Sequence, residues 1–384
     1  MSNGPVLIYD KSAMQRLSAD EARWLTHFFR CNITPVYLLE VIGDLAKSAK
    51  RGTPESMVAA LAAKTSSLGS LPNVLHTDLI DQEILGNPVE MRGVPIVGGA
   101  QTITTATGKN GVFFDESPEE KALRRWQDGA FEKHEHAHAS DYRQNAKSID
   151  LQAFIRASKA VRPKGEKLAS SLPELLEVVD LFLDDPGSQY RTLSTALEMF
   201  DQPESSKRHV KKHWAAYGRP PIRRFLPYTH HCMRVFTLFG HGVGLGLISQ
   251  RPTNVIDLQY LFYLPFCMVF ISADNLHHDL VPLFITKKQR YVKSDDMQTA
   301  LRELVAYFSD HEAELKATGM MGFGRYPPLS HNTVIHQLYD EFIPRWRKDA
   351  LVPEKKITPE ENERIMKELQ PFMEAIEKRA SKRD

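Results

Sequence analysis

Four acidic residues carry the chemistry that this sequence suggests. Asp10 and Asp274 each follow a short apolar run that reads as a buried strand, PVLIY and CMVFISA, while Glu40 and Asp257 fall on helical patterns. Acids at the carboxyl ends of parallel strands meet at one edge of a doubly wound sheet. Carboxylates crowded there raise one another's pKa, and a hard divalent cation relieves the repulsion. Mg2+ or Mn2+ takes oxygen ligands, keeps part of its water shell and activates a water, which is what hydrolysis of a phosphodiester needs. Glu40 and Asp44, four residues apart, share a helix face. Asp279 and Asp296 lie nearby, Asp279 as a candidate supporting member of the set. The competing reading of the same acids is helix capping and surface solvation; Asp257, after Asn254, would then be an acid favoured by a helix dipole.

Other segments hold chemistry-bearing residue types. His134-Glu135-His136-Ala137-His138 matches the H-E-x-x-H of zinc hydrolases, but polar residues surround it on every side, and Asp141 stands where the extended motif needs glycine. Solvated surface histidines are the expectation there, with Glu166 as the nearest downstream third ligand for the zinc alternative. His230-His231-Cys232 and His277-His278 read as core or rim residues. The alternating glycines 240, 242, 244 and 246 lack the Gly-Lys-Ser/Thr of a phosphate loop, so close backbone packing is expected. From Ser205 to Ile256 there is no Asp or Glu, but there are nine Lys/Arg. Within it, Lys207, Arg208, Lys211, Lys212, Arg219, Arg223 and Arg224 are interleaved with Trp214 and Tyr217. Cations contact phosphates and aromatic faces stack on unpaired bases, so this strip is a candidate nucleic-acid surface; the plainer reading is a solvated charged face.

The acids also carry a resemblance. Tyr9-Asp10-Lys11-Ser12 resembles the opening strand and D-x-S signature of PIN-domain ribonucleases, and Thr34-Pro35-Val36-Tyr37-Leu38-Leu39-Glu40 is similar to that family's second motif. Asn254-Val255-Ile256-Asp257 resembles the third, an aspartate opening a helix, and Ser272-Ala273-Asp274-Asn275 the strand-ending fourth. The spacing 274 − 257 = 17 suits a helix plus a strand. The resemblance covers residues 5–47 and 250–290, about a quarter of the chain. It implies that Asp10, Glu40, Asp257 and Asp274 are catalytic and bind Mg2+ or Mn2+, with Ser12 supporting the first. It further implies an endoribonuclease, with RNA favoured over DNA. The chain departs from the family in the gap between the second and third acids, 257 − 40 = 217 residues, which requires a looped-out insertion; closing so long a loop costs little extra entropy. Two alternatives stand beside this reading. One is a non-catalytic PIN-like binding scaffold in an RNA or defence complex; the other is a zinc hydrolase centred on His134–His138.

The elements that must position these residues follow from the same text. Ser18 and Glu21 form a capping box opening a helix over 19–30, and ITPVYLLEVIGDLAK gives an extended entry and then a helix. Residues 50–115 are rich in small residues, Gly and Pro, and residues 118–160 are polar and helical. Pro173 opens an amphipathic helix that stops at Asp185-Pro186-Gly187, and Thr358, Pro359 and Glu361 cap a last one. Asp257 is expected to open the helix LQYLFYLPF, shortened or kinked by Pro265.

The predicted architecture is α/β: a discontinuous PIN-like three-layer domain with a central parallel sheet (1–50 and 250–310), a largely helical insertion (51–249) and a helical C-terminal extension (311–384). At 384 residues, 42% hydrophobic, the chain can bury two or three cores. The net charge of +1 excludes bulk polyanion binding and leaves a local patch. Three widely spaced cysteines, the lack of a basic leader and the lack of an 18-residue apolar run point to a reducing cytoplasm and no membrane partner. RNA is the expected partner, with an inhibitory protein or a second copy of the chain as further candidates.

Overall fold

The apolar runs before Asp10 and Asp274 become adjacent strands of one parallel sheet. In the computed structural model, which describes residues 4–48, 52–65, 70–152, 155–156, 169–352 and 358–380, the strands are β1 (Val6–Tyr9), β2 (Arg30–Ile33), β3 (Ser70–Pro72), the hairpin pair β4 (Ala100–Thr104) and β5 (Asn110–Phe114), β6 (Val269–Ser272) and β7 (Arg290–Lys293). Five of them form the sheet in the order β3-β2-β1-β6-β7, every pairing parallel. VLIY of β1 is buried at every position, as is VFIS of β6. Since alternate side chains point to opposite faces, both faces of the sheet are covered, which explains why these strands read as continuous apolar runs rather than as alternation.

The chain winds outward from β1 in both directions. Helices α1 (Lys11–Arg16) and α2 (Ala19–Phe28) lead to β2; α3 (Pro35–Ile42) and α4 (Pro54–Lys64) lead to β3; the Asn275–Phe284 helix joins β6 to β7. The strand order therefore reverses between β1 and β6, and at such a switch point the crevice opens beyond the carboxyl ends of the two strands. The α2 capping box forms as read: Ser18 accepts from the Glu21 amide, and the Glu21 carboxylate accepts from the Ser18 amide. Trp24 of α2 stacks on Phe308 of the Ser294–Asp310 helix at 3.9 Å between centroids, and Arg302 and Gln298 of that helix donate to Glu21.

The predicted boundaries need revision. β3 lies within the span assigned to the insertion, so the sheet domain runs past residue 50, and the insertion also carries the β4–β5 hairpin. Nor is the insertion looped clear of the sheet domain. Leu123, Trp126, Leu193, Val210, Tyr228 and Phe239 belong to the same continuous core as β1 and β6. Helix α5 (His76–Ile84) is tied to the Pro227–Gly244 helix by Glu83, whose buried carboxylate accepts from the Tyr228 and Thr229 amides and the Thr229 hydroxyl, a cap for orphan donors at a helix start. Gly242 lies on that helix, where a Cβ would sit 2.6 Å from Ile248, so the close packing expected of the alternating glycines is met there. The described residues of 311–384 are helical or irregular, and Thr358 and Glu361 exchange the expected cap bonds at the head of the Pro359–Ala380 helix. No helix among the described residues is long and apolar enough to cross a membrane.

Candidate active site

Asp10 occupies the first position after β1, where it caps α1. Its Oδ1 accepts from the Ala13 amide (2.8 Å) and the Ser12 hydroxyl (2.9 Å); its Oδ2 accepts from Ser12 (2.7 Å) and Ser272 (2.6 Å). One strand over, Asp274 caps the Asn275–Phe284 helix, its Oδ1 accepting from the Leu276 amide at 2.7 Å. It stands two residues past the end of β6, since the strand stops at Ser272 and a side-chain cap takes over. The cap is local: Ser272 Oγ accepts from the Asp274 amide.

Glu40 reaches the site from α3. Its Oε2 accepts from the Tyr260 hydroxyl at 2.6 Å, and Lys11 ties α1 to the same region by donating to the Glu40 carbonyl (2.9 Å) and to Asp44 (2.7 Å). Asp257 does not open its helix, contrary to the sequence pattern; it is the fourth residue of Asn254–Leu258, after which the backbone tightens into a 3-10 helix over Gln259–Phe266. Pro265, which has no amide hydrogen to donate, lies inside this segment, one residue before its end.

These four acids feel one another. Burial, and behind it the charges of Glu40, Asp274 and Asp10, push the Asp257 carboxyl up to about 7 against the opposing pull of His277. Burial raises Glu40 as well, against Lys11 and the Tyr260 hydrogen bond. Asp10 behaves otherwise: burial opposes its charge, but His277, Ser272 and Ser12 hold it below the usual carboxylate value. Asp279 is exposed on the Asn275–Phe284 helix; with Asp10 and Asp274 its charge acts on Tyr291, whose hydroxyl burial first pushes up, to about 12 in all.

His277, read from sequence as a core or rim residue, is the centre of this arrangement. It is fully buried. Its Nε2 faces the Asp257 carbonyl at 2.7 Å, an acceptor only, so that nitrogen carries a proton. Its Nδ1 faces Ser272 Oγ at 2.8 Å, whose own proton goes to Asp10. That arrangement leaves Nδ1 to donate too, and the Asp10 carboxylate, whose Oδ2 is 3.3 Å away, favours the doubly protonated, cationic ring. Burial opposes that charge, yet the hydrogen bond and charge of Asp10, with the carbonyl and charge of Asp257, raise His277 to about 9. The signal was present in sequence as a histidine three residues after Asp274, one helical turn into the capped helix.

A second residue missed from sequence is Tyr142, on the Lys133–Ser148 helix. Its buried hydroxyl has no hydrogen-bond partner among the described residues, and burial followed by the charges of Glu40, Asp257 and Asp44 raises its pKa. The ring packs on Gly43, directly after α3, where a Cβ would lie 2.6 Å from Tyr142 Cδ1. Arg143 beside it donates to the Gly43 carbonyl at 3.0 Å.

The donor chemistry suits a hard cation. Among the described residues nothing hydrogen-bonds to the Asp257 carboxylate, Glu40 Oε1 or Asp274 Oδ2. Asp10 is different: the Ala13 amide and the Ser12 and Ser272 hydroxyls make four hydrogen bonds to its two oxygens, which anchors it between β1 and β6. As the side chains stand, no three His, Cys, Asp or Glu donors among the described residues are arranged to hold a metal ion.

The alternative centre does not assemble. His134, His136 and His138 are exposed, and Glu135, which would activate water at a zinc ion, is taken up by the Glu132 amide, Arg125 and Trp126. Glu166 lies outside the described residues.

The basic strip is also altered. Trp214 is buried with its Nε1 donating to the Pro220 carbonyl, so it offers no face to a base. Lys207 is buried between Glu198 and Glu204, and Arg223 pairs with Asp184. Arg208, Lys212, Arg219 and Arg224 are exposed, Lys211 half-buried over the Tyr190 ring, and Tyr217 is exposed. Compared with protein-family models, curated proteins and solved structures, the chain finds no match.

Proposed function

We propose that this chain hydrolyses phosphodiester bonds of nucleic acid, RNA before DNA, as a PIN-like nuclease dependent on Mg2+ or Mn2+. The observation that carries the reading is the convergence of Asp10 and Asp274 at the switch point between β1 and β6, beside Glu40 and a half-buried Asp257 whose carboxyl is pushed up to about 7 by burial first and then by the charges of Glu40, Asp274 and Asp10. Glu40, Asp257 and Asp274 would hold the cation through their open oxygens. When bound, it would supply positive charge to the phosphate and an activated water.

The chain's own groups prepare that site. His277 neutralises Asp10 from within, so Asp10 can stay ionised in a dry position and fix Ser12 and Ser272. Tyr260 orients one oxygen of Glu40 and leaves the other free. Tyr142 presents a neutral donor to an otherwise anionic pocket, suited to a phosphate oxygen. The exposed cations Arg208, Lys212, Arg219 and Arg224 provide phosphate contacts along the strand. A non-catalytic scaffold is the second reading, and the four hydrogen bonds to Asp10 favour it.

Incubating the protein with mixed RNA and DNA pools in Mg2+, Mn2+ or chelator separates the two. Metal-dependent cleavage of RNA, abolished in Asp257→Asn and Asp274→Asn variants that keep the wild-type Tm, is expected. Absence of cleavage in every metal, or full activity in both variants, overturns the nuclease.

A further inference from the structure

At the other end of the same strands lies a cavity of about 890 Å3, within the size range of small-molecule sites. Cys267 and Met268, just before β6, and Gln289, just before β7, form part of its wall. Asp274 lies six positions along the chain from Met268, so the cavity is about 20 Å from the carboxylates, at roughly 3.3 Å per residue.

Its lining divides by chemistry. Phe284, Phe342, Pro227 and Met268 give it an apolar floor. Around this stand Arg92, Arg223, Arg234, Lys287 and Lys288, from three separate stretches of chain, against one lining acid among the described residues, Glu341. Arg223 and Arg234 are held in place by Asp184 and Asp180, and Arg234 also lies over the Phe284 ring at 5.5 Å. Glu341 is taken up by Arg290. Lys287 and Lys288 are exposed and make no ion pair with the described residues. His230, buried in the wall, has an Nε2 that makes no hydrogen bond with the described residues, though it stands 3.3 Å from Asp184 Oδ1. Arg92 pairs with the exposed Glu90, which is not among the lining residues. The two unpaired lysines and this exposed arginine, at the rim of an apolar cavity, match a ligand with a flat ring at one end and concentrated negative charge at the other.

We propose that this cavity binds a nucleoside phosphate, the base against the half-buried Phe342, Met268 and Pro227 and the phosphates against Lys287, Lys288 and Arg92. The site is separate from the carboxylates and does not depend on the proposed nuclease. It also gives two arginines of the acid-free run, Arg223 and Arg234, a place in a concave site instead of on an open strip.

Calorimetric titration in chelator, which removes any metal-mediated binding at the carboxylates, tests the proposal with ATP, adenosine and pyrophosphate as probes. Saturable binding of one ATP per chain is expected, with adenosine and pyrophosphate each weaker. Lys287→Glu with Lys288→Glu should weaken ATP by about tenfold or more, and Arg92→Glu, on a different segment, should do so independently. These side chains are exposed, so the Tm should not move. No saturable ATP binding, or ATP affinity unchanged in both variants, overturns the site. Pyrophosphate binding as tightly as ATP overturns the nucleotide assignment, since the floor would then contribute nothing. Nuclease activity measured alongside in Mg2+ fails or survives on its own.

Discussion

An imidazolium buried among carboxylates is a costly thing to build unless every donor is used. In His277 both ring protons have acceptors, and the ring's charge lies against Asp10. Removing it as His277→Ala leaves Asp10 buried beside the charges of Asp257 and Glu40, and a loss of about 3–5 kcal/mol is expected, the cost of breaking one side of a buried pair. The linkage has a definite sign. The folded-state pKa of His277, about 9, lies above its ordinary 6.5, so its contribution is complete below 6.5 and fades as pH rises from there to about 9. Chemical denaturation at intervals across that window, without divalent ions, should show wild-type stability falling with pH and a flatter profile in His277→Gln. Parallel profiles would mean the ring is neutral. Tyr142 is the complementary case: an unpaired buried hydroxyl costs stability, so Tyr142→Phe should leave the Tm unchanged or slightly higher. If the phenol donates to a bound phosphate, cleavage should fall about tenfold or more, the worth of one hydrogen bond to a charged group. Equal cleavage by Tyr142→Phe and wild type would remove the phenol from the site.

Local elements were readable where the code is local. The Ser18–Glu21 and Thr358–Glu361 boxes and the apolar strands β1 and β6 rest on neighbours within a few residues, and they form as expected. β3, three residues long, and β2, whose RCNI mixes charge with apolar side chains, carry no comparable pattern; pairing with β1 and with each other makes them strands. Burial of Trp214 was less legible too: its ring meets Tyr190, from another helix, although its Nε1 partner Pro220 is close in sequence. The strip therefore divides into tied and free members. Replacing Arg208, Lys212, Arg219 and Arg224 by Ala should weaken single-stranded RNA binding and reduce the log–log salt slope by about 0.7 for each phosphate that is no longer neutralised. Trp214→Ala should instead cost about 3–5 kcal/mol of stability, as core Trp truncation does. An unchanged slope in the quadruple variant would show that these cations face protein and not nucleic acid.

At the scale of the whole molecule, the insertion decides whether the sheet can exist alone. Two pairs of acids far apart in sequence meet only because β1 and β6 are neighbours, and the connection to β6 is the Gln259–Phe266 segment, which has Phe262, Tyr263 and Phe266 fully buried. Their partners are residues of the insertion: Phe236 stacks on Phe262 at 5.4 Å, Tyr228 meets Phe266 at 5.3 Å, and the His76 amide donates to the Tyr263 hydroxyl. His231 adds a hydrogen bond to the Leu261 carbonyl. Exposing three aromatic side chains forfeits about 1.5–3 kcal/mol each, a sum comparable with the entire stability of an ordinary domain, roughly 5–15 kcal/mol. A shortened chain in which a flexible linker replaces residues 74–250 should therefore not fold, despite retaining all five sheet strands and all four acids. Its far-UV circular dichroism should lack a cooperative thermal transition, and it should bind a hydrophobic dye that the intact chain does not. A folded, monomeric shortened chain with a sharp transition would show instead that the sheet domain is independent and that the shared core is only a docking surface.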